Sequence, residues 1–130
     1  MLEIKVQSVG EHVVVNPGRF KIGKKENPEF KFKNTCGGVI QVMFLQTKLL
    51  TLNGSPVSAN KFLTPAVDNG ASSGVFKLAA GANLGEYDYV IKFDSDGWTE
   101  EARETRPGAE FGVAIGGSSP RIIVRSSVPL

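Results

Sequence analysis

Few side chains in this sequence could carry out chemistry on a bound substrate. The 130 residues include one cysteine, Cys36, and one histidine, His12. One thiol cannot form an internal disulfide, and these two residues cannot supply the four ligands of a structural zinc site. Any Ser-His-Asp or Cys-His catalytic set would have to use His12, which lies in a valine-rich stretch and is expected to be structural. We therefore predict no catalytic residue, no cofactor and no enzymatic activity.

One acidic run could bind a cation. Asp94-Ser95-Asp96-Gly97 is similar to the beginning of a calcium-binding loop, but Arg103 then stands where such a loop needs a bidentate carboxylate. Arginine cannot supply that ligand. A tight turn is the better interpretation of this run, and no metal site is predicted.

The segment 19–33 carries six basic and two acidic side chains, which could form a stripe for an anionic partner. Strand alternation turns Phe30 and Phe32 inward, so their rings are unavailable to stack on bases. Lysines that protect a strand edge explain the same charges. Because the whole chain has a formal net charge of only +2, we expect no nucleic-acid partner.

The sequence also indicates where in the cell the protein is located. It contains no apolar run near the ~20 residues that a helix needs to cross a bilayer. Its first residues, Met-Leu-Glu-Ile-Lys, lack the basic region and apolar stretch of a signal peptide. We expect no membrane association and a cytoplasmic location, unless a leader peptide has been removed.

Short β-branched runs between frequent turn residues predict an all-β fold, with residues 1–130 as a single domain. The chain has 15 glycines and 7 prolines, and its apolar residues alternate with polar ones, as at Leu2, Ile4 and Val6. A polar loop is predicted at 64–74 and a short solvated helix at 98–106. Strands are predicted at 2–8, 11–15, 19–23, 29–34, 39–46, 48–52, 74–78, 86–94, 111–115 and 121–127.

Two stretches resemble the cupredoxins, the blue-copper β-sandwich family. Residues 30–44 are similar to a strand ending in asparagine, a short turn, and a strand that opens with the first copper-binding histidine; Ile40 stands in place of that histidine. Residues 75–91 are similar to a strand, a turn and Gly-x-Tyr-x-Tyr before the copper-binding cysteine, and Ile91 stands in its place. The resemblance implies an antiparallel Greek-key β-sandwich. An immunoglobulin-like sandwich is the alternative, because that fold also places a tyrosine near a late strand.

The resemblance implies a copper-free relative. A blue-copper site needs a thiolate, two imidazoles and usually a weak axial thioether. Both matched ligand positions are isoleucine, and no histidine, cysteine or methionine follows residue 91, where family members place their last ligands. We therefore expect no copper, and aliphatic core in place of the metal pocket.

The charged segment 94–110 is the predicted partner-binding region. It carries the only tryptophan, Trp98, together with Arg103 and Arg106, and these residue types are favoured anchors in protein interfaces. Alternatively, Trp98 caps the core. The predicted function is a non-catalytic binding or assembly module for an unknown protein partner or a second copy of itself. The alternative is a small-molecule-binding protein or enzyme with a site of carboxylates, arginines and backbone groups.

Overall fold

The structure is a computed structural model that describes residues 1–10, 12–95, 98–104 and 119–129, with the backbone alone at Trp98 and Glu104. All regular secondary structure in these ranges is β-strand. In chain order the strands are β1 (Leu2–Val9), β2 (His12–Asn16), β3 (Arg19–Gly23), β4 (Phe30–Thr35), β5 (Val39–Phe44), β6 (Leu50–Leu52), β7 (Ser55–Pro56), β8 (Lys61–Phe62), β9 (Phe76–Leu78), β10 (Gly85–Ser95), β11 (Trp98–Glu101), β12 (Arg103–Glu104) and β13 (Arg121–Arg125).

The strands form two sheets that pack face to face. The hydrogen-bonded order is β12-β2-β1-β4-β9-β6-β7 in the first sheet and β3-β13-β10-β5-β8 in the second, where β11 also pairs with β10. The chain passes repeatedly from one sheet to the other, as in Greek-key sandwiches. The predicted all-β sandwich is confirmed.

Both sheets are mixed, whereas we expected antiparallel pairing throughout. β1 pairs with β4, β2 with β12 and β3 with β13 in parallel, and the other pairs of described strands are antiparallel. A tight hairpin cannot join two parallel strands. Between the two strands of each parallel pair, the chain forms at least one strand of the opposite sheet. It then returns and runs beside the earlier strand in the same direction.

For most strands, the bounds predicted from the alternation of apolar residues agree with the observed bounds to within a few residues. β1 to β6, β9, β10 and β13 correspond to predicted strands, whereas the short strands β7, β8, β11 and β12 were not predicted. The predicted strand at 111–115 lies outside the described residues. Within the predicted polar loop 64–74, Val67 and Ser72 form isolated bridges to the sheets.

The predicted helix at 98–106 is wrong over the residues described. β11 runs antiparallel to the end of β10, with Trp98 opposite Ser95, and β12 lies beside β2. A helix this short is marginal in water. The backbone of the segment instead pairs with strands of both sheets, where every ladder bond satisfies a peptide group.

Aromatic rings from both sheets fill the centre of the sandwich. Phe32 of the first sheet lies with its ring centroid 5.6 Å from that of Tyr89 in the second. Phe44 of the second sheet is 5.5 Å from Phe76 of the first, and Phe20 is 5.1 Å from Phe30. Offset and edge-to-face pairs at these distances add to the free energy gained by burying the rings. These contacts hold the two sheets together.

The two tyrosines of β10 play different roles. The Tyr87 hydroxyl donates to the Asn83 carbonyl at 2.8 Å and so ties the start of β10 to the turn before it. This local bond is the tyrosine corner of Greek-key sandwiches. Tyr89 is fully buried, burial raises the pKa of its hydroxyl, and that hydroxyl has no hydrogen-bond partner among the described residues.

Replacing each tyrosine by phenylalanine removes only a hydroxyl, so the two variants form a matched pair. Tyr87→Phe loses a made hydrogen bond, and we expect the free energy of unfolding to fall by about 1 kcal/mol. Tyr89→Phe removes an unpaired buried group, and we expect no loss or a gain of stability. Urea denaturation measures both. Equal losses would contradict the two assigned roles.

Glu26 fastens the chain beyond β13 to the turn after β3. Its carboxylate accepts hydrogen bonds from the Ser127 hydroxyl at 2.5 Å and the Val128 N–H at 2.7 Å. These two bonds, the one from Ser127 first, lower the pKa of Glu26 below its ordinary value of 4.5. The ionised carboxylate is therefore the form that holds this segment.

This contact predicts an acid-dependent loss of stability. The folded-state pKa of Glu26 is lowered, so its contribution is complete above the unfolded-state value and disappears as the pH falls through the folded-state value. We expect Glu26→Gln to melt at a lower temperature than wild type at pH 7, with the difference shrinking below about pH 4.5. Thermal melts across this range test the expectation, with the exposed Glu29→Gln as control. A difference that does not change with pH would contradict it.

Candidate functional site

The two positions where copper ligands were expected hold core side chains. Ile40 on β5 and Ile91 on β10 have no exposed surface. Ile40 lies opposite Phe93, and Ile91 opposite Val42, so the two isoleucines are diagonal neighbours on the inner face of the second sheet. The structure therefore places these two aliphatic side chains next to each other in the core.

Asn34 organises the turn that leads into β5. It is fully buried at the end of β4. Its Oδ1 accepts hydrogen bonds from the Cys36 N–H at 3.0 Å and the Cys36 thiol at 2.8 Å, while its Nδ2 donates to the carbonyls of Gly38 and Val67, both at 2.8 Å. One amide thus fixes the turn and also binds a segment about thirty residues later in the chain.

The Cys36 thiol belongs to this turn and is not a surface group. The residue is 5 % exposed. Burial raises the pKa of the thiol above its ordinary value, and a nucleophilic or metal-binding cysteine needs the thiolate. Lys33, which is close in sequence, directs its Nζ to the Gly70 carbonyl instead. Cys36 is therefore a hydrogen-bond donor to Asn34.

The single histidine contacts a partly buried carboxylate. His12 Nδ1 lies 3.3 Å from Glu100 Oε1, and the Val13 N–H donates to the same oxygen at 3.3 Å. Glu100 is on β11, which pairs within the second sheet, whereas β2 belongs to the first. The contact therefore joins the two sheets at one side of the sandwich.

Two of the three predicted partner-binding residues, Trp98 and Arg103, lie on strands that pair with different sheets. Arg103 lies exposed on β12, at the edge of the first sheet. The structure describes the backbone of Trp98 in β11 but not its side chain, and Arg106 lies outside the described residues. Part of the charged segment is strand, because Asp94 belongs to β10 and pairs with Thr99 on β11.

The basic segment 19–33 is divided between the two sheets. β3 places its charges at the edge of the second sheet, whereas β4 lies inside the first. Lys31 Nζ is 4.0 Å from Glu3 Oε2 on the neighbouring strand β1. The six basic side chains therefore do not share one sheet surface, which agrees with the structural interpretation of these residues.

The outer face of the second sheet carries a half-buried apolar row that the sequence did not single out. Phe62, Met43 and Val90 are cross-strand neighbours on β8, β5 and β10, and we call them the outer row. Lys92 extends over one end of the row, with its Nζ 5.9 Å from the centroid of the Phe62 ring. The sequence signal that could have identified this face is the alternation along β5. Residues 40, 42 and 44 are buried, so residues 39, 41 and 43 point outward.

A cavity of about 160 Å³ lies between β5, β6, β9 and the segment 63–74. Its apolar lining includes Ile40, Val42, Leu52 and Phe76, and Asn53 is among its polar lining residues. The residues that line it are all uncharged. The sequence could not reveal this cavity, because it depends on how segment 63–74 lies over the sheets.

The described part of the chain has neither a cluster of metal-binding side chains nor a membrane-spanning helix. No group of three or more histidine, cysteine or acidic side chains is arranged there to hold a metal ion. Across the same residues no helix has the length and hydropathy that a membrane crossing needs.

The hydrogen bonds of Asn34 predict a large effect of a small substitution. Asn34→Ala would leave the Cys36 N–H and the carbonyls of Gly38 and Val67 without their partner, and an unsatisfied buried group costs about 1–3 kcal/mol. We expect a loss of at least 3 kcal/mol in urea denaturation, since several groups are affected at once. Asn69→Ala is the matched control, because Asn69 is exposed and its Oδ1 accepts a hydrogen bond from the Gly37 N–H of the same turn. Equal effects of the two substitutions would contradict the role of Asn34.

No protein-family model and no curated protein matches this sequence. One solved structure that is similar is a purple cupredoxin from Nitrosopumilus maritimus, with 14% sequence identity. The alignment covers 68% of this chain and 84% of that chain, with a TM-score of 0.44. The assignment of this chain as a β-sandwich follows from the strand pairing described above.

Proposed function

We propose that this chain is a non-catalytic, copper-free binding or assembly module. Its contact region comprises the outer face of the second sheet and the adjoining segment 98–104. The observation that carries the proposal is the outer row, in which three apolar side chains lie half-buried on one sheet face, from the edge strand β8 inward to β10. An apolar centre with polar and charged surroundings is the usual anatomy of a protein interface.

The charges around the outer row favour a second copy of the chain as the partner. Lys92 lies between oppositely charged neighbours on the same face, with Asp94 two residues along β10 and Glu101 opposite it on β11. In a twofold dimer the same patch meets itself. Such a face can place the Lys92 ammonium of one copy against the Asp94 or Glu101 carboxylate of the other, and complementary charges of this kind fix the register of an interface.

The positions of the single cysteine and the single histidine support the non-catalytic part of the proposal. The Cys36 thiol donates to Asn34 in the core, and His12 contacts Glu100 where the two sheets meet. Both residues hold strands and turns in place. These positions are consistent with a scaffold whose chemistry is confined to recognition.

The alternative, a small-molecule site built from carboxylates and arginines, has less support. The cavity beside β5 has an uncharged lining, so it differs in composition from the expected site. Partner binding is therefore the better explanation for the charged side chains of segment 98–104.

A charge placed in the outer row tests the assembly proposal. We expect sedimentation velocity to show concentration-dependent self-association of the wild-type chain, and Met43→Lys to weaken it at least tenfold while leaving the free energy of unfolding within about 1 kcal/mol of wild type. Leu84→Lys is the matched control, because Leu84 is 58% exposed and precedes β10. A monomer at every concentration, or equal effects of both variants, would rule out this interface.

Trp98→Ala and Arg103→Ala examine the adjoining segment. If Trp98 is an interface anchor, its removal lowers the association constant and leaves thermal stability unchanged. If it caps the core, its removal lowers the melting temperature instead. Arg103→Ala should weaken association without loss of stability, because the side chain is exposed.

Copper titration tests the remaining part of the proposal. Isoleucine has no donor atom, and both Ile40 and Ile91 are buried. We therefore expect added Cu(II) to produce no intense blue thiolate absorption and no rise in melting temperature. A blue band that disappears in Cys36→Ser would show a copper–thiolate site and overturn the copper-free assignment.

A further inference from the structure

We propose that the cavity between β5, β6, β9 and segment 63–74 binds a small uncharged molecule that presents one apolar ring or a branched chain of similar size. The inference rests on the volume of the cavity, its lining and the hydrogen bonds that keep it open. It does not depend on the proposed assembly face, which lies on the outer side of the second sheet.

The volume sets the size of the ligand. The cavity measures about 160 Å³, close to the roughly 150 Å³ of an apolar cavity known to accept benzene in another protein. Sites for larger organic ligands usually measure about 300–1,000 Å³. A single six-membered ring therefore fits, whereas a nucleotide or a fused-ring cofactor does not.

The lining sets the chemistry of the ligand. Side chains of Ile40, Val42, Leu52 and Phe76 provide apolar surface, and the polar lining is limited to neutral groups such as Asn53 and the hydroxyl-bearing residues of segment 63–74. An ion would lose its hydration there without meeting an opposite charge, which is unfavourable. The ligand should therefore be uncharged, and one hydroxyl group can be accommodated by the neutral polar groups.

Hydrogen bonds hold one wall of the cavity against β5. The Ile40 N–H donates to the Val67 carbonyl at 3.0 Å, and the Val67 N–H donates back to the Ile40 carbonyl at 2.8 Å. The Leu63 N–H donates to the Val42 carbonyl at 2.8 Å. The Val67 carbonyl also accepts the bond from Asn34 described above. Segment 63–67 is therefore fixed at both ends.

The opposite wall is fixed in the same manner. The Ser73 hydroxyl accepts the Phe32 N–H at 2.9 Å, and Asn53 Oδ1 accepts the Val75 N–H at 2.9 Å. Collapse of the cavity would break bonds in both walls. A space that the backbone keeps open in this way is preorganised for an occupant, and preorganisation reduces the free-energy cost of binding.

Nuclear magnetic resonance titration of the full chain tests the proposal with benzene and phenol as probes. We expect saturable shifts of the methyl signals of Ile40, Val42 and Val67, with no comparable shift at Val124, which lies in the core but does not line the cavity. Benzoate and benzylammonium should bind at least tenfold more weakly than phenol, because each carries a charge. Absence of saturable shifts, or equal binding of the charged probes, would overturn the proposal.

Filling the cavity provides a second, independent measurement. The double variant Val42→Ile with Val67→Ile adds two methylene groups to the lining, and we expect it to weaken phenol binding at least fivefold without loss of melting temperature. Val124→Ile is the matched control: overpacking of the closed core should lower the melting temperature and leave phenol binding unchanged. Unaltered phenol binding in the filled variant would place the probe elsewhere and refute the site. If the filled variant does not fold, the wild-type titration decides.

Discussion

Asn34 is the buried polar residue of the described core, and its side-chain amide is saturated by four partners. An amide in this position is stable only when all of its partners are in place, since each unmade bond in the interior is costly. The end of β4, the turn before β5 and the segment near Val67 therefore have to form together. This constraint positions the entry of β5 into the second sheet, and the remaining features of that sheet follow from it.

Register explains why the entry of β5 matters. Side chains of a strand alternate between faces, so a slip of one residue would exchange Ile40 and Val42 with Val39, Gln41 and Met43. In the observed register the isoleucines of β5 and β10 pack in the core, the cavity has an apolar floor, and the outer row faces outward. The core positions, the cavity and the proposed contact face thus all depend on the turn that Asn34 holds.

The period-two alternation was sufficient to predict the long strands, because one face of each is buried. The placement of Ile40 and Ile91 in the core was expected from the resemblance to cupredoxins. The alternation was not sufficient for β7, β8, β11 and β12, which are too short to display a period and form only because a neighbouring strand offers unpaired peptide groups. The parallel pairs and the cavity likewise depend on contacts between residues far apart in the chain. A short helix was predicted at 98–106, but over the described residues the backbone pairs with strands of two sheets, and that pairing overrode the local preference.

The pairing of β3 with β13 has a consequence for biosynthesis. Arg19 lies opposite Arg121 and Ile22 opposite Val124, so β3 leaves the ribosome long before its neighbour has been made. Until β13 has been made, the backbone of β3 lacks its hydrogen-bonding partner, and Phe20 and Ile22 are not fully packed. An unpaired apolar strand of this kind can pair with other chains and aggregate. Arg19 and Lys21 alternate with these apolar residues along β3. Their positive charges repel the same strand of another newly synthesised chain during that interval. Part of the basic character of segment 19–33 can thus be understood as protection of an unfinished sheet.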